Sequence, residues 1–203
     1  MKYPIQHLKD YYDWRLEAGG SSSSQLGWED PVAHYQRFRV LSKELELNYR
    51  SLLDVGSGLG DLWFYLSGEG ELCDYLGVDI LPEMVNRSKL RFPGVDFRCL
   101  DVIADPACLG RQFDIVYSAG IFNLAATSSD AFLKLAFDAF TAIAAKHVAV
   151  SLLHASSPSR EETYRYFDPA EVTERLARPG WSLRTVEGYL SNDFTLIATK
   201  ENP

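Results

Sequence analysis

The sequence has little cysteine and no basic cluster. Its three cysteines, Cys73, Cys99 and Cys108, are odd in number and form no CxxC pair, which argues against a disulfide framework and against a zinc site. Cys73 and Cys99 sit in apolar, strand-like runs and read as buried small hydrophobes. Lysine and arginine total 20 against 28 aspartates and glutamates, a net charge of −8, so the electrostatic footprint of a nucleic-acid binder is missing. No apolar run approaches the ~20 residues of a membrane span. Residues 1–10 lack the charged-then-apolar pattern of a secretory signal, and no internal repeat is visible. The expectation is a soluble, cytoplasmic protein: 203 residues with 46% hydrophobic side chains suffice for one sizeable core.

Residues 51–61, SLLDVGSGLGD, are the stretch around which the chain is organised. Leu52, Leu53 and Val55 make an apolar run too short for a helix, and it breaks into Gly56, Gly58 and Gly60. That pattern predicts a buried strand entering a tight loop. Leu62, Trp63 and Leu66 follow at helical spacing, so the loop delivers backbone N–H groups at a helix N-terminus, where a ligand can approach bare backbone. Asp54 stands two positions before the first glycine. A phosphate gains nothing from an acid there, so the ligand presents a cation. A dinucleotide fingerprint wants its last glycine at the sixth position, and here that position is Asp61. The same glycines also suit a plain strand–helix turn.

Beyond the loop, strand and helix patterns alternate. Residues 74–80 have a strand's composition and carry Asp79, 19 positions past Gly60, where an acid can accept both hydroxyls of a ribose. Ile80 and Leu81 would flank its base. This acid is shared with dinucleotide-binding folds and supports a nucleoside in general. Pro82 opens a helix with Met84, Val85, Ser88 and Phe92 on its inner side. A third strand, 95–100, runs into Asp101 and Val102, and a fourth, 113–118, closes on Ser118. A helix over 131–145 precedes a fifth strand, 147–154. Ligands of open α/β sheets lie at the carboxyl ends of strands, so His154 can face a substrate while His147 lies on the wrong side. Asp168-Pro169 caps another helix, and 182–189 with 193–199 form a terminal hairpin. The order implies a mostly parallel sheet covered on both faces.

Residues 1–49 precede this core. Ile5, Leu8, Tyr12 and Leu16 predict a helix that stops at Gly19-Gly20, and residues 21–24 read as a flexible polar stretch. Asp30-Pro31 caps a second helix carrying Val32, Tyr35, Phe38, Leu41 and Leu45. Aromatic residues gather here: Tyr3, Tyr11, Tyr12, Trp14, Trp28, Tyr35 and Phe38. Two helices packed on the sheet, or a lid over a site, account for them equally well.

With Asp54 ahead of it, Gly56-Ser57-Gly58-Leu59-Gly60 resembles motif I of the class I S-adenosylmethionine (SAM) dependent methyltransferases, D/E-x-G-x-G-x-G. Leu26-Gly27-Trp28, Arg37-Phe38 and Leu41 extend the likeness to a bacterial methyltransferase-like group in which LGW…RF..L precedes motif I. The resemblance spans Tyr11 to Phe122, with Ser57 where that group often has cysteine. It implies a Rossmann-like α/β fold: a seven-stranded, mostly parallel sheet of order 3-2-1-4-5-7-6 with its last strand antiparallel and helices on both faces. Residues 1–49 would be an N-terminal helical lid and 50–203 the SAM-binding domain.

The implied cofactor is SAM, leaving as S-adenosyl-L-homocysteine. Asp54 would meet its ammonium, Gly56, Ser57, Gly58 and Gly60 its amino-acid end, Asp79 and Ile80 its nucleoside, Asp101 and Val102 its adenine, and Ser118 would also contact it. Arg37 would reach its carboxylate; taken alone, Arg37 reads equally as a solvated helix-face arginine. The (N/D)PP(Y/F) element of DNA amino-methyltransferases is absent, and a small or medium-sized molecule is the expected acceptor. Tyr11, Tyr12 and His154 are candidate bases and Asn123 a candidate orienting group, with no residue assigned as catalytic and no metal expected. Two other readings stand beside this one. A non-catalytic SAM-fold binding module would keep Asp54 and Asp79 but block the acceptor cavity. An NAD-dependent oxidoreductase is disfavoured by Asp61 and by the terminal hairpin.

Overall fold

Strand β1 (Ser51–Val55) is buried at every position after Ser51. In the computed structural model, which describes residues 5–28 and 30–201 and so leaves Tyr3 outside, β1 lies in the middle of the sheet. It pairs in parallel with β2 (Asp74–Asp79) on one side and β4 (Phe113–Ala119) on the other. β2 carries the edge strand β3 (Phe97–Cys99), and β4 carries β5 (Ala144–Leu153). β7 (Asp193–Lys200) runs antiparallel to both β5 and β6 (Trp181–Val186). The order is β3-β2-β1-β4-β5-β7-β6, as the resemblance implies.

Strand alternation explains the continuous apolar run of β1, because parallel strands covered on both faces need apolar side chains on both. Leu52 packs with Phe38 of α3 (Pro31–Glu44), Leu62 of α4 (Asp61–Glu69) and Val85 of α5 (Pro82–Arg91). Leu53 and Val55 pack with Phe137 of α6 (Asp130–Ile143) and Val172 of α7 (Pro169–Leu176). Asp54 takes the Leu52 side by the same alternation. An acid therefore stands at the carboxyl end of an otherwise apolar layer.

The N-terminal region holds α1 (Ile5–Ala18) and a four-residue helix, α2 (Ser22–Gln25), ahead of α3. The stretch 21–24 is thus not an irregular linker: the Ser21 hydroxyl accepts from Ser24 N–H and caps the turn. Asp30 accepts from Val32 N–H at 2.8 Å and starts α3 with Pro31 in its first turn. The buried residues of α3 are His34, Arg37, Phe38, Val40 and Leu41, and Leu45 just after it is buried too, whereas Val32 is 66% exposed. Apolar spacing placed Phe38, Leu41 and Leu45 correctly but missed His34 and Arg37, because these are polar residues with buried partners.

Two further expectations shift. α6 passes directly into β5 at Ala144, earlier than the pattern suggests, since Ala144 and Ala145 do not mark the change in composition. Cys99 and Cys108 are exposed and Cys73 is half-buried. Only Phe97 of β3 is buried, so this edge strand turns Cys99 outward. No described helix is long and apolar enough to cross a membrane.

Candidate functional site

The loop between β1 and α4 is built around glycines that the fold needs. Gly56 has φ +77°, and a Cβ there would lie 2.2 Å from Ile121 Cγ2 in the loop after β4. Gly60 (φ +79°) caps α4 without a side chain, and its added Cβ would meet Phe97 Cζ at 2.8 Å. The first glycine thus lets two loops at the carboxyl edge approach each other, and the last lets α4 sit against the sheet. Between and beside them opens a cavity of about 460 Å³.

Of the residues expected to hold a ligand, Arg37, Asp54, Gly56, Ser57, Gly58, Asp79, Ile80, Asp101 and Val102 all line this cavity. Gly60 and Ser118 do not. Gly60 is engaged in helix packing, and Ser118 is fully buried with its hydroxyl donating to the Val55 carbonyl at 2.8 Å, a bond that ties β4 to β1.

The acids are held in different ways. Asp54 is 4% exposed and accepts from the Tyr75 hydroxyl at 2.7 Å. Burial pushes its pKa up to about 7 against that bond, with the charges of Asp79 and Asp61 adding to the effect. Asp79 accepts Gly58 N–H on one oxygen (3.0 Å) and Leu81 N–H on the other (2.9 Å), so it fastens the glycine loop to the end of β2. Burial raises its pKa too, opposed by those backbone donors. Asp101 accepts Ala104 N–H at 3.0 Å and closes the turn after β3. Ser57 lines the cavity, and its Oγ is buried with no partner among the described residues.

Arg37 is not a solvated surface residue. It is 3% exposed, donates through Nε to Asp193 Oδ1 at 3.0 Å and through a terminal nitrogen to Asp193 Oδ2, and lies over the Trp28 ring at 4.1 Å. Its charge is therefore matched within the fold, by a residue at the start of β7 that sequence spacing gave no means of finding.

Sequence reasoning also passed over His34 and treated Asp61 only as a departure from a glycine fingerprint. Both are buried and line the cavity, with His34 Nε2 at 3.1 Å from Asp61 Oδ2 and Arg91 bonded to Asp61 Oδ1. Burial pushes the Asp61 carboxyl up, but the bonds from His34 and Arg91 hold it below its ordinary value. The available signal was the i, i+4, i+7 spacing of His34, Phe38 and Leu41, which places the histidine on the buried stripe.

At the other candidates the outcome divides. Tyr11, Tyr12 and Asn123 line the cavity. The Tyr11 and Tyr164 hydroxyls are 3.1 Å apart, joining α1 to the segment after β5, and burial raises the pKa of both phenols. Arg165 N–H donates to the Asn123 carbonyl at 2.7 Å, which fixes the loop after β4 against that segment. His154 does not reach the cavity: its Nδ1 accepts Ser156 N–H at 3.0 Å and its Nε2 faces Glu187 at 3.2 Å. It ends the correct strand but points away.

Comparisons with known proteins agree with this geometry. Residues 52–156 match the family described as Methyltransferase domain. The Mycobacterium tuberculosis protein Rv1506c, whose name proposes a methyltransferase, is 30% identical over 161 residues, covering 74% of this chain and 93% of that protein. Among solved structures, magnesium protoporphyrin IX methyltransferase from Synechocystis with bound SAM superposes with a TM-score of 0.69 at 18% identity, covering 97% of this chain and 96% of that one. A TehB-like SAM-dependent methyltransferase from Corynebacterium glutamicum gives 0.64 at 20% identity, covering 98% of this chain and all (100%) of that one. At these identities the two structures speak for the fold.

Proposed function

Because the chain belongs to the methyltransferase domain family, we propose that it transfers the methyl group of SAM to a small or medium-sized acceptor. The observation that carries this reading is the placement of Asp54 and Asp79 on either side of one bare glycine loop, within one cavity that extends to Asp101 and Val102. An acid at each end with backbone between them suits a ligand that is cationic at one end and a nucleoside at the other. Gly56, Ser57 and Gly58, between the two acids, line the same cavity, which suits such a ligand as well.

SAM supplies an electrophilic methyl on a sulfonium that is its own leaving group, so positioning and water exclusion are the main tasks left to the protein. In this reading Asp54 binds the ammonium, Asp79 the ribose hydroxyls, and Asp101 the adenine amino group beside Val102 and Ile80. Arg37 reaches toward the carboxylate only with donors that Asp193 and Ala33 leave unused. The acceptor lies toward Tyr11, Asn123 and Tyr164, and residues 5–28 with α3 form the lid. The raised pKa values of the two tyrosines keep their protons in place near neutral pH. They therefore serve the acceptor as hydrogen-bonding groups, with Asn123 orienting it.

Calorimetry with SAM, S-adenosylhomocysteine and NAD tests the reading. Binding of the first two at 1:1 with none for NAD is expected. NAD binding alone would replace it with a dinucleotide enzyme, and no binding of any would reduce the fold to a scaffold.

A further inference from the structure

The charges around the cavity are nearly all of one sign. Among the described residues its wall carries Asp30, Asp54, Asp61, Asp79, Asp101 and Glu161, against a single cationic side chain, Arg37. Arg37 is already paired with Asp193 at 3.0 Å. His34 also lines the wall, but burial pushes its pKa down, so it is neutral near pH 7. An acceptor bearing a carboxylate or phosphate would therefore enter without a free counter-charge, and a charge taken out of water unpaired is costly.

All of these acids but Glu161 are committed elsewhere. Asp54, Asp79 and Asp101 hold the cofactor in the reading above, Asp30 caps α3, and Asp61 bonds His34 and Arg91. The Glu161 carboxylate has no hydrogen-bond or ion-pair partner among the described residues. Its main chain is nonetheless fixed: the N–H donates to the Tyr166 hydroxyl at 3.0 Å, and the carbonyl accepts Tyr164 N–H at 3.1 Å. That turn sets Glu161 beside the Tyr11–Tyr164 pair, on the acceptor side. Burial is the first cause of the raised pKa of both phenols, and the Glu161 charge adds to it, so its field reaches both hydroxyls. Arg15 is the nearby cation, but its guanidinium lies over the Tyr11 ring at 3.8 Å, donates to the Tyr11 carbonyl at 2.6 Å and is not part of the wall.

We infer that the acceptor is an amine-bearing molecule that binds as its cation, with Glu161 as the counter-charge and the Tyr11 and Tyr164 oxygens as further partners for the ammonium. This rests on the SAM reading above and names the acceptor class for the same cavity.

An ammonium has three donors and no acceptor. A carboxylate with both oxygens free, beside phenol oxygens that can still accept, meets that need. A bound ammonium has no lone pair with which to attack a methyl group, so in this state the amine is a handle that positions the molecule. Glu161 is thus a specificity residue and takes no part in the transfer itself.

The experiment is ligand-observed NMR titration of wild type, Glu161→Gln and Glu161→Lys, each saturated with S-adenosylhomocysteine, near neutral pH. Tyramine, tyrosol and 4-hydroxyphenylacetate share one frame and differ in charge, as do hexylamine, hexanol and hexanoate. Wild type is expected to bind each amine about tenfold more tightly than the matching acid, with the alcohol between them. Glu161→Gln should weaken the amines about fivefold, the scale of one partly solvated ion pair, while the alcohols and S-adenosylhomocysteine stay within about twofold. Glu161→Lys should bring the acids above the amines. Acids that bind wild type as well as the amines do would overturn the inference, and so would amine affinity unchanged in Glu161→Gln. A loss shared by amine and alcohol would make Glu161 a packing residue and overturn it too. So would the absence of binding by every probe at millimolar concentration, because a site that selects by charge retains simple amines. If S-adenosylhomocysteine itself does not bind, the function proposed above fails as well; if it binds and the amines hold no advantage, only the acceptor class fails.

Discussion

The Tyr75 hydroxyl on β2 donates to Asp54 Oδ2 on β1 at 2.7 Å, and both residues are buried. One neutral donor does not offset the loss of water around a carboxylate, and Asp54 titrates at about 7 in the folded protein. In the unfolded chain it titrates near its ordinary value of about 4. Between roughly pH 4 and 7 the folded state therefore holds a proton that the unfolded state has lost, so stability falls as pH rises through that window, and the cost is complete above about 7. Asp54→Asn keeps an acceptor for Tyr75 and cannot ionise. It is expected to raise the unfolding free energy by on the order of 1–4 kcal/mol at pH 8 while changing little at pH 4, and to weaken SAM binding because the ammonium loses its counter-charge. Urea unfolding at the two pH values checks the first part. An equal change at both would show that packing, not ionisation, is responsible.

Asp79 serves the glycine loop before it serves any ligand, through its bonds from Gly58 and Leu81 N–H. Each carboxylate oxygen retains a lone pair for a ribose hydroxyl. Asp79→Ala is expected to weaken SAM binding by about 1–3 kcal/mol, the scale of hydrogen bonds to a charged acceptor. Unchanged affinity in a folded variant would sink the ribose assignment.

These two acids also mark what the sequence made legible. Asp54, the glycines and Asp79 could be read because local rules place them: a short apolar run, a break, and an acid at the end of the next strand. The mostly parallel sheet followed from the alternation of elements, while its strand order came with the resemblance to the class I SAM-dependent methyltransferases. His34 was harder, since only its place on the Phe38 stripe signals burial and nothing local names Asp61 as its partner. The bond between Arg37 and Asp193 joins residues 156 apart in sequence, and no periodicity in either segment encodes it. The orientation of His154 was missed for a related reason. Strand polarity fixed its end of the sheet, but Glu187 in the β6–β7 connection decides where the ring points.

The glycines of the loop should separate under mutation. In Gly56→Val the side chain meets Ile121 and the backbone is held at φ +77°, so the variant should lose stability and cofactor binding together. Gly60→Ala strains the contact between α4 and Phe97, away from the cavity wall. It should lower the melting temperature by several degrees, the effect of about 1–2 kcal/mol in a domain of this size, while the surviving folded fraction binds SAM with nearly wild-type affinity. Retained binding in Gly56→Val would mean that its loop is only a turn.

The last prediction concerns residues 19–27, which connect α1 to α3. Gly19 and Gly20 both have positive φ, and neither backbone lies within a helix, so they would form the hinge of the proposed lid. Beyond them, α2 docks through Gln25 Oε1, which receives Arg87 at 3.5 Å, while Arg87 also donates to the Leu16 carbonyl at 3.1 Å. On the far side, α1 is latched to the segment after β5 by the Tyr11–Tyr164 contact at 3.1 Å. These polar bonds are partly solvated, and the apolar docking is one small cluster of Leu16 with Leu59, Leu81 and Met84, so α1 and α2 would open at less cost than the elements of the sheet core. A ligand in the cavity adds contacts only to the closed arrangement and so shifts the population toward it. Saturating SAM or S-adenosylhomocysteine is therefore expected to slow subtilisin cleavage within residues 19–27 several-fold. Tryptophan emission should shift at the same time, through Trp28, which lines the cavity, rather than Trp14, which is 58% exposed. Trp28→Phe should abolish the shift while leaving Trp14 emission in place. Equal cleavage with and without saturating cofactor would show that α1 and α2 are fixed packing elements, with closure playing no part in binding.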